Sequence, residues 1–206
     1  MSPAPDLHTL RIQAIVMGKL GEAISYNVKE LVKMEDGTVL PIVAWHARNL
    51  LELSIWTEYC IQSQENAVRF AVDAMRDLDD IIKRLPQDEI DARPETKRWI
   101  ENFESVRTGL AGDIGSEDLS KPYTSVRTAA AAIGKLIDYE AGMKVYSKWA
   151  HPTALAVMTG PPPGDAQKST RINITRAALT MASEASRMAK AFNEETVRKL
   201  LETSKG

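Results

Sequence analysis

The chain has 206 residues, 44% hydrophobic and 26% charged, which suits one larger globular unit with a real core. Its 26 Lys and Arg nearly cancel 28 Asp and Glu, so no global charge draws it to nucleic acid or to an anionic membrane, while a local basic patch is allowed. One cysteine excludes an internal disulfide and a zinc-type cysteine set. The opening MSPAPDLHTL carries neither a charged lead nor an apolar signal core, and no uncharged apolar run is long enough to span a bilayer. A cytoplasmic protein with no membrane partner is expected.

Residues 1 to 5 read as a loose tail, after which Asp6 caps a first helix to about Met34. Leu10, Ile12, Ile15, Val16, Leu20, Ile24, Val28 and Leu31 form its inward set, and Gly18 and Gly21 weaken it or admit a close neighbour. Asp36-Gly37 ends this helix; a short β-hairpin around MEDGTVLP is the rival reading. The second helix covers about 41–62, with Pro41 in its first turn. Ala44, Trp45, Leu51, Ile55, Trp56 and Tyr59 make one wide apolar face, and Val43, Leu50, Leu53 and Ile61 cover much of the rest. Apolar almost all round, it reads as the buried central helix, with Cys60 a small buried hydrophobe within it. Arg48 and Glu52 then fall in the middle of the widest apolar face.

Ser63 caps a third helix to about Leu85, with Val68, Phe70, Ala71 and Met75 inward and its DLDD run a solvated face. A fourth helix runs from Glu95 to about Leu110 around Trp99, Ile100, Phe103 and Val106, and residues 111–122 read as loop. A fifth runs from Tyr123 to Glu140 through the alanines at 129–132, Gly142 allows a break, and a short sixth carries MKVYSKWAH up to Pro152. TGPPPGDAQKS, 159–169, is a loop, and a last helix covers about 173–203. Its Ile174, Ala178, Met181, Ala185, Met188 and Phe192 make a heptad seam, either an internal packing face or the seam of a homodimer. The expectation is an all-α, single-domain bundle of about seven helices over 1–206, with no internal repeat.

Two groups carry candidate chemistry. A charge buried without a partner is very unfavourable, so Arg48 and Glu52, four residues apart on one helix, require each other; replacing both by apolar residues is often neutral, which leaves a functional role open. Lys144, Ser147 and His151 share a helical stripe opposite Tyr146, with Ser147 one turn from the histidine as a hydrogen-bond partner. His151 reads either as a general acid or base, or as a satisfied helix-end histidine. The three histidines, His8, His46 and His151, are far apart, with none in the helical spacings that metal sites use. No phosphate-binding glycine loop is present, so neither metal nor cofactor is expected.

R-x-x-x-E on an apolar helix (Arg48, Glu52), followed much later by S-x-x-x-H-P-T (Ser147, His151, Pro152, Thr153) with Tyr139 before it, resembles a bacterial all-helical family of unknown function. That family is usually placed near the HEPN superfamily of nucleotide-binding helical domains, and the likeness covers about 40–155. It implies a HEPN-like bundle with an interior polar site of Arg48, Glu52, Lys144, Tyr146, Ser147 and His151 for RNA or a nucleotide, in a stress or defence role. Active HEPN ribonucleases place an arginine four to six residues before a histidine, typically across a dimer interface. His151 matches the histidine, while Lys144 and Tyr146 occupy the arginine spacings. The enzyme this implies is a metal-independent ribonuclease using His151; Arg48, by its expected buried position on the neighbouring helix, is the candidate to supply the missing guanidinium. The alternative is a non-catalytic interaction module whose polar cluster is structural.

Overall fold

The structure, a computed structural model, describes residues 7–34, 39–84, 86, 93–114, 122–151 and 164–203. The expected N-terminal tail and cap, the Asp-Gly turn and the proline run lie outside the described residues, as do Pro152 and Thr153. Seven α-helices and no strand occur among the described residues: α1 (Leu7–Lys33), α2 (Leu40–Gln62), α3 (Gln64–Arg84), α4 (Pro94–Ile114), α5 (Val126–Ala132), α6 (Leu136–Ala150) and α7 (Gly164–Thr203).

Helix α2 is the axis of the bundle and packs on α1, α3, α5, α6 and α7. One hydrophobic cluster joins them, with Met17, Leu20 and Ile24 from α1, Leu50 and Ile55 from α2, and Val72 from α3 at its centre. Helix α7 offers it Ala178, Ala182, Ala185 and Ala189, all buried, and side chains this small let α7 lie close against α1 and α2. Ile174 is buried in the same face, and Met181, Met188 and Phe192 pack beside it. The heptad seam of the last helix is therefore an internal packing face. Cys60 is fully buried, and burial pushes its thiol up to about 12, so it behaves as a core hydrophobe.

Local polar chemistry fixes the joints. Gln13 donates from Nε2 to the carbonyl of Cys60 at 2.6 Å, satisfying the last turn of α2 from across the α1 interface. Ser63 stands between α2 and α3 with its Oγ accepting from Asn66 N–H at 3.1 Å, the N-cap expected of it. Asp73 of α3 is a carboxylate that sequence reading did not single out. It is buried and accepts from Arg76 Nη1 at 2.9 Å and from Thr124 N–H at 2.9 Å, which pins the chain entering α5 onto α3.

Several boundaries differ from those expected. The fifth helix does not run to Glu140; it stops at Ala132, where Gly134 takes φ 74° and Gly134 N–H and Lys135 N–H donate to Ala131 and Ala130 carbonyls, a Schellman closure. Gly142, where a break was allowed, lies within an unbroken α6. A Cβ there would sit 2.7 Å from Leu51 Cδ2, so this glycine serves close approach of α6 to α2. A Cβ added at Gly18 or Gly21 would meet nothing within 4 Å, and α1 runs unbroken through them. Helix α4 continues to Ile114, and α7 begins at Gly164 rather than near Asn173, with Asp165 in its first turn favouring that start. Trp99, expected inward, is largely exposed and packs edge-on against Phe103; the Val106 side chain lies outside the description.

Candidate functional site

The outward side of α2 is where its polar pair lies. Pro41, Ile42, Trp45, Arg48, Asn49, Glu52, Leu53 and Trp56 recur at steps of three and four, and all are exposed or half-buried. The opposite face, with Val43, Ala44, Ala47, Leu50, Leu51 and Ile55, is buried. This corrects the expectation of an interior site. Trp45, counted among the inward apolar residues, is 46% exposed, and Arg48 and Glu52 keep 30% and 26% of their side-chain surface open to solvent. Hydrophobicity alone placed Trp45 in the core, yet its ring stays half open to solvent.

Arg48 donates from Nε to Glu52 Oε1 at 3.1 Å, the i,i+4 pair that helical spacing implies. Its Nη1 lies 2.8 Å from Nε2 of His151, a residue 103 positions later and exposed. A guanidinium can only donate, so Nε2 accepts and the imidazole in this contact is neutral with its proton on Nδ1. The fold brings these groups together through α6. Gly142 seats that helix on Leu51 of α2, and α6 ends at Ala150, leaving His151 as its extended C-cap residue beside Arg48.

The remaining residues of the expected cluster stand apart from this hydrogen-bonded group. Tyr146 is buried in the core beside Gly142. Ser147 is half-buried and Lys144 exposed, and neither has a hydrogen-bond partner among the described residues. The Ser147–His151 bond expected from their spacing does not form, because His151 has left the helix and its Nε2 is taken by Arg48. Tyr139 does border the cluster. Burial raises its phenol above the usual range, and the Glu52 carboxylate adds to this while Arg48 opposes it.

A second polar group escaped sequence reading. His46, on the buried face of α2, donates from Nδ1 to Asn27 Oδ1 at 3.0 Å. Asn27 Nδ2 donates to the Ala23 carbonyl, and this fixes which amide atom faces the histidine. Burial lowers the His46 pKa, with nearby Glu30 opposing the shift. An asparagine on an apolar helix stripe is the signal that marks this pair. Among the described residues no three His, Cys, Asp or Glu side chains are grouped to hold a metal ion, and no helix is long and apolar enough to cross a membrane.

Comparison with protein-family models, with characterised proteins and with solved structures finds no match to this chain. The likeness to the HEPN-related family therefore rests on its few residues alone.

Proposed function

We propose that the outward face of α2 binds the phosphate of a nucleotide or of short single-stranded RNA, held by Arg48 and His151. The observation that carries this reading is the 2.8 Å contact between the Arg48 guanidinium and the exposed His151 imidazole. Glu52 fixes the guanidinium through Nε and leaves the Nη edge, the side that recognises phosphate oxygens, turned toward the histidine. An arriving phosphate takes those donors, and His151, released from its acceptor role, can bind a proton and donate to the same anion. Trp45 lies one turn before Arg48 on the same side and is open enough to stack a base. The near-neutral chain supplies little long-range attraction, which favours a short ligand over an extended polyanion.

The same pair favours a second reading, a metal-independent ribonuclease. In that reaction His151 removes the proton from a ribose 2′-OH, the oxygen attacks the adjacent phosphorus, and the 5′-oxygen leaves with the electron pair of the broken P–O bond and takes a proton from water, giving a cyclic phosphate and a 5′-hydroxyl. Arg48 holds the phosphate charge.

Titration with AMP and with a short single-stranded RNA, read by tryptophan fluorescence and by calorimetry, tests the binding reading. Binding that Trp45→Ala and Arg48→Ala each weaken roughly fivefold or more supports it. No binding of either ligand, or binding indifferent to both changes, contradicts it. RNA cleavage in EDTA that His151→Ala abolishes selects the nuclease.

A further inference from the structure

The contact between Arg48 and His151 also sets a charge balance. Arg48 Nη1 donates to His151 Nε2 at 2.8 Å, and two N–H donors cannot share that distance, so the imidazole is neutral there. Glu52 offsets the arginine charge through Nε at 3.1 Å. Together the three side chains carry no net charge. A phosphate held by the same guanidinium brings a negative charge that they do not balance. Of the three, histidine is the side chain whose ordinary pKa lies near neutral. His151 is exposed, so a proton reaches it from solvent. It stands just past the end of α6, where C-terminal carbonyl dipoles favour a positive charge. From α2 the charged groups beside it are Arg48 and Glu52. On its own helix they are Lys148 in the last turn and Lys144 one turn earlier, both exposed. Tyr139 borders the group, and burial raises its phenol further above neutral pH, with Glu52 adding to the shift and Arg48 opposing it. No carboxylate pairs with His151 among the described residues.

We propose that phosphate binding at this site is coupled to uptake of a proton by His151, so that affinity rises as pH falls. The coupling rests on the phosphate reading of the same pair. When the anion takes the Nη donors, Nε2 loses the hydrogen bond that required it to be bare. A proton on Nε2 then turns the ring from an acceptor facing arginine into a donor facing phosphate. The imidazolium also supplies the positive charge that the anion calls for. The effect is reciprocal, because phosphate favours the protonated ring as much as the protonated ring favours phosphate. Uptake of a whole proton corresponds to about tenfold in affinity per pH unit, until the protein alone carries the same proton.

The test uses dApdA, a dinucleotide whose single phosphodiester does not titrate near neutral pH and which has no 2′-OH, with AMP alongside. Titration calorimetry of the full chain near pH 7, in buffers of different ionisation enthalpy, counts the protons taken up. The expected result is roughly half a proton or more per dApdA, with affinity about three- to tenfold higher at pH 6 than at pH 8. Both effects should vanish in His151→Gln, whose amide keeps a donor and does not titrate. Ring nitrogen NMR should show His151 bare at Nε2 in the protein alone and protonated at both nitrogens in the complex. Binding without proton uptake, an imidazole still neutral in the complex, or the same uptake in His151→Gln overturns the coupling and leaves the phosphate reading standing. No binding of dApdA or AMP anywhere between pH 6 and pH 8 removes that reading, and the coupling with it.

Discussion

Asp73 is the carboxylate whose removal the fold should feel most. It is 4% exposed and answers both Arg76 and a backbone N–H from the chain entering α5. Asp73→Ala leaves the buried Thr124 N–H without its acceptor and removes one from the Arg76 guanidinium, and should lower unfolding free energy by ~2–3 kcal/mol in urea denaturation. Arg48→Ala should cost less than ~1 kcal/mol, since its pair with Glu52 is partly in water. The reverse ranking would mean that the α2 pair is a structural element after all. His46 gives a separate prediction, on pH. Its folded pKa is lowered by burial, so the unfolded chain takes the proton first as pH falls below about 6.5. Stability is therefore full above that pH and declines as pH drops toward the folded pKa. Replacing the ring in His46→Gln should flatten that decline between neutral pH and pH ~5, whatever its constant offset. An equally steep profile in the variant would show that another group carries the acid sensitivity.

Two glycines divide the work of shaping the α5–α6 region. Gly134 holds a left-handed turn, and Gly134→Ala should cost about 1–2 kcal/mol for its positive φ. It should leave the helices themselves in place. Gly142 faces Leu51 across the α2–α6 contact, and a side chain there must push the helices apart. Gly142→Leu should destabilise by ~1–3 kcal/mol and also separate His151 from Arg48, visible as altered histidine and arginine side-chain NMR signals. An unshifted His151 signal in a folded Gly142→Leu protein would show that this approach does not position the site. Sequence reading allowed a break at Gly142 and did not single out Gly134, because spacing shows where a helix is allowed to break and not which break tertiary packing uses. It did find α3 and α7, since Val68, Ala71 and Met75, or Ile174, Ala178 and Ala185, recur at periods that only a helix buries on one side. The start of α7 was placed too late because DAQKST reads as polar loop, although its residues tolerate a solvent-facing helix.

For the whole molecule, the all-helical bundle around α2 was legible in the sequence, and the depth of its polar cluster was not. The pairing of Arg48 with Glu52 follows from a spacing of four within one helix. Whether a third helix covers that pair depends on neighbours that periodicity cannot assign, and Trp45 looked like core for the same reason. The result is a bundle with its apolar seam closed internally by the alanines of α7, and with its Arg–His contact at the rim, where a ligand can reach it. The central claim is that Arg48 and His151 act jointly on one phosphate. A double-mutant cycle on AMP affinity with Arg48→Ala, His151→Ala and both tests it most directly. The account predicts that each single change weakens binding and that the double change weakens it by less than the two combined, with a coupling of at least ~0.5 kcal/mol. Strictly additive losses, or affinity that neither change alters, would contradict it.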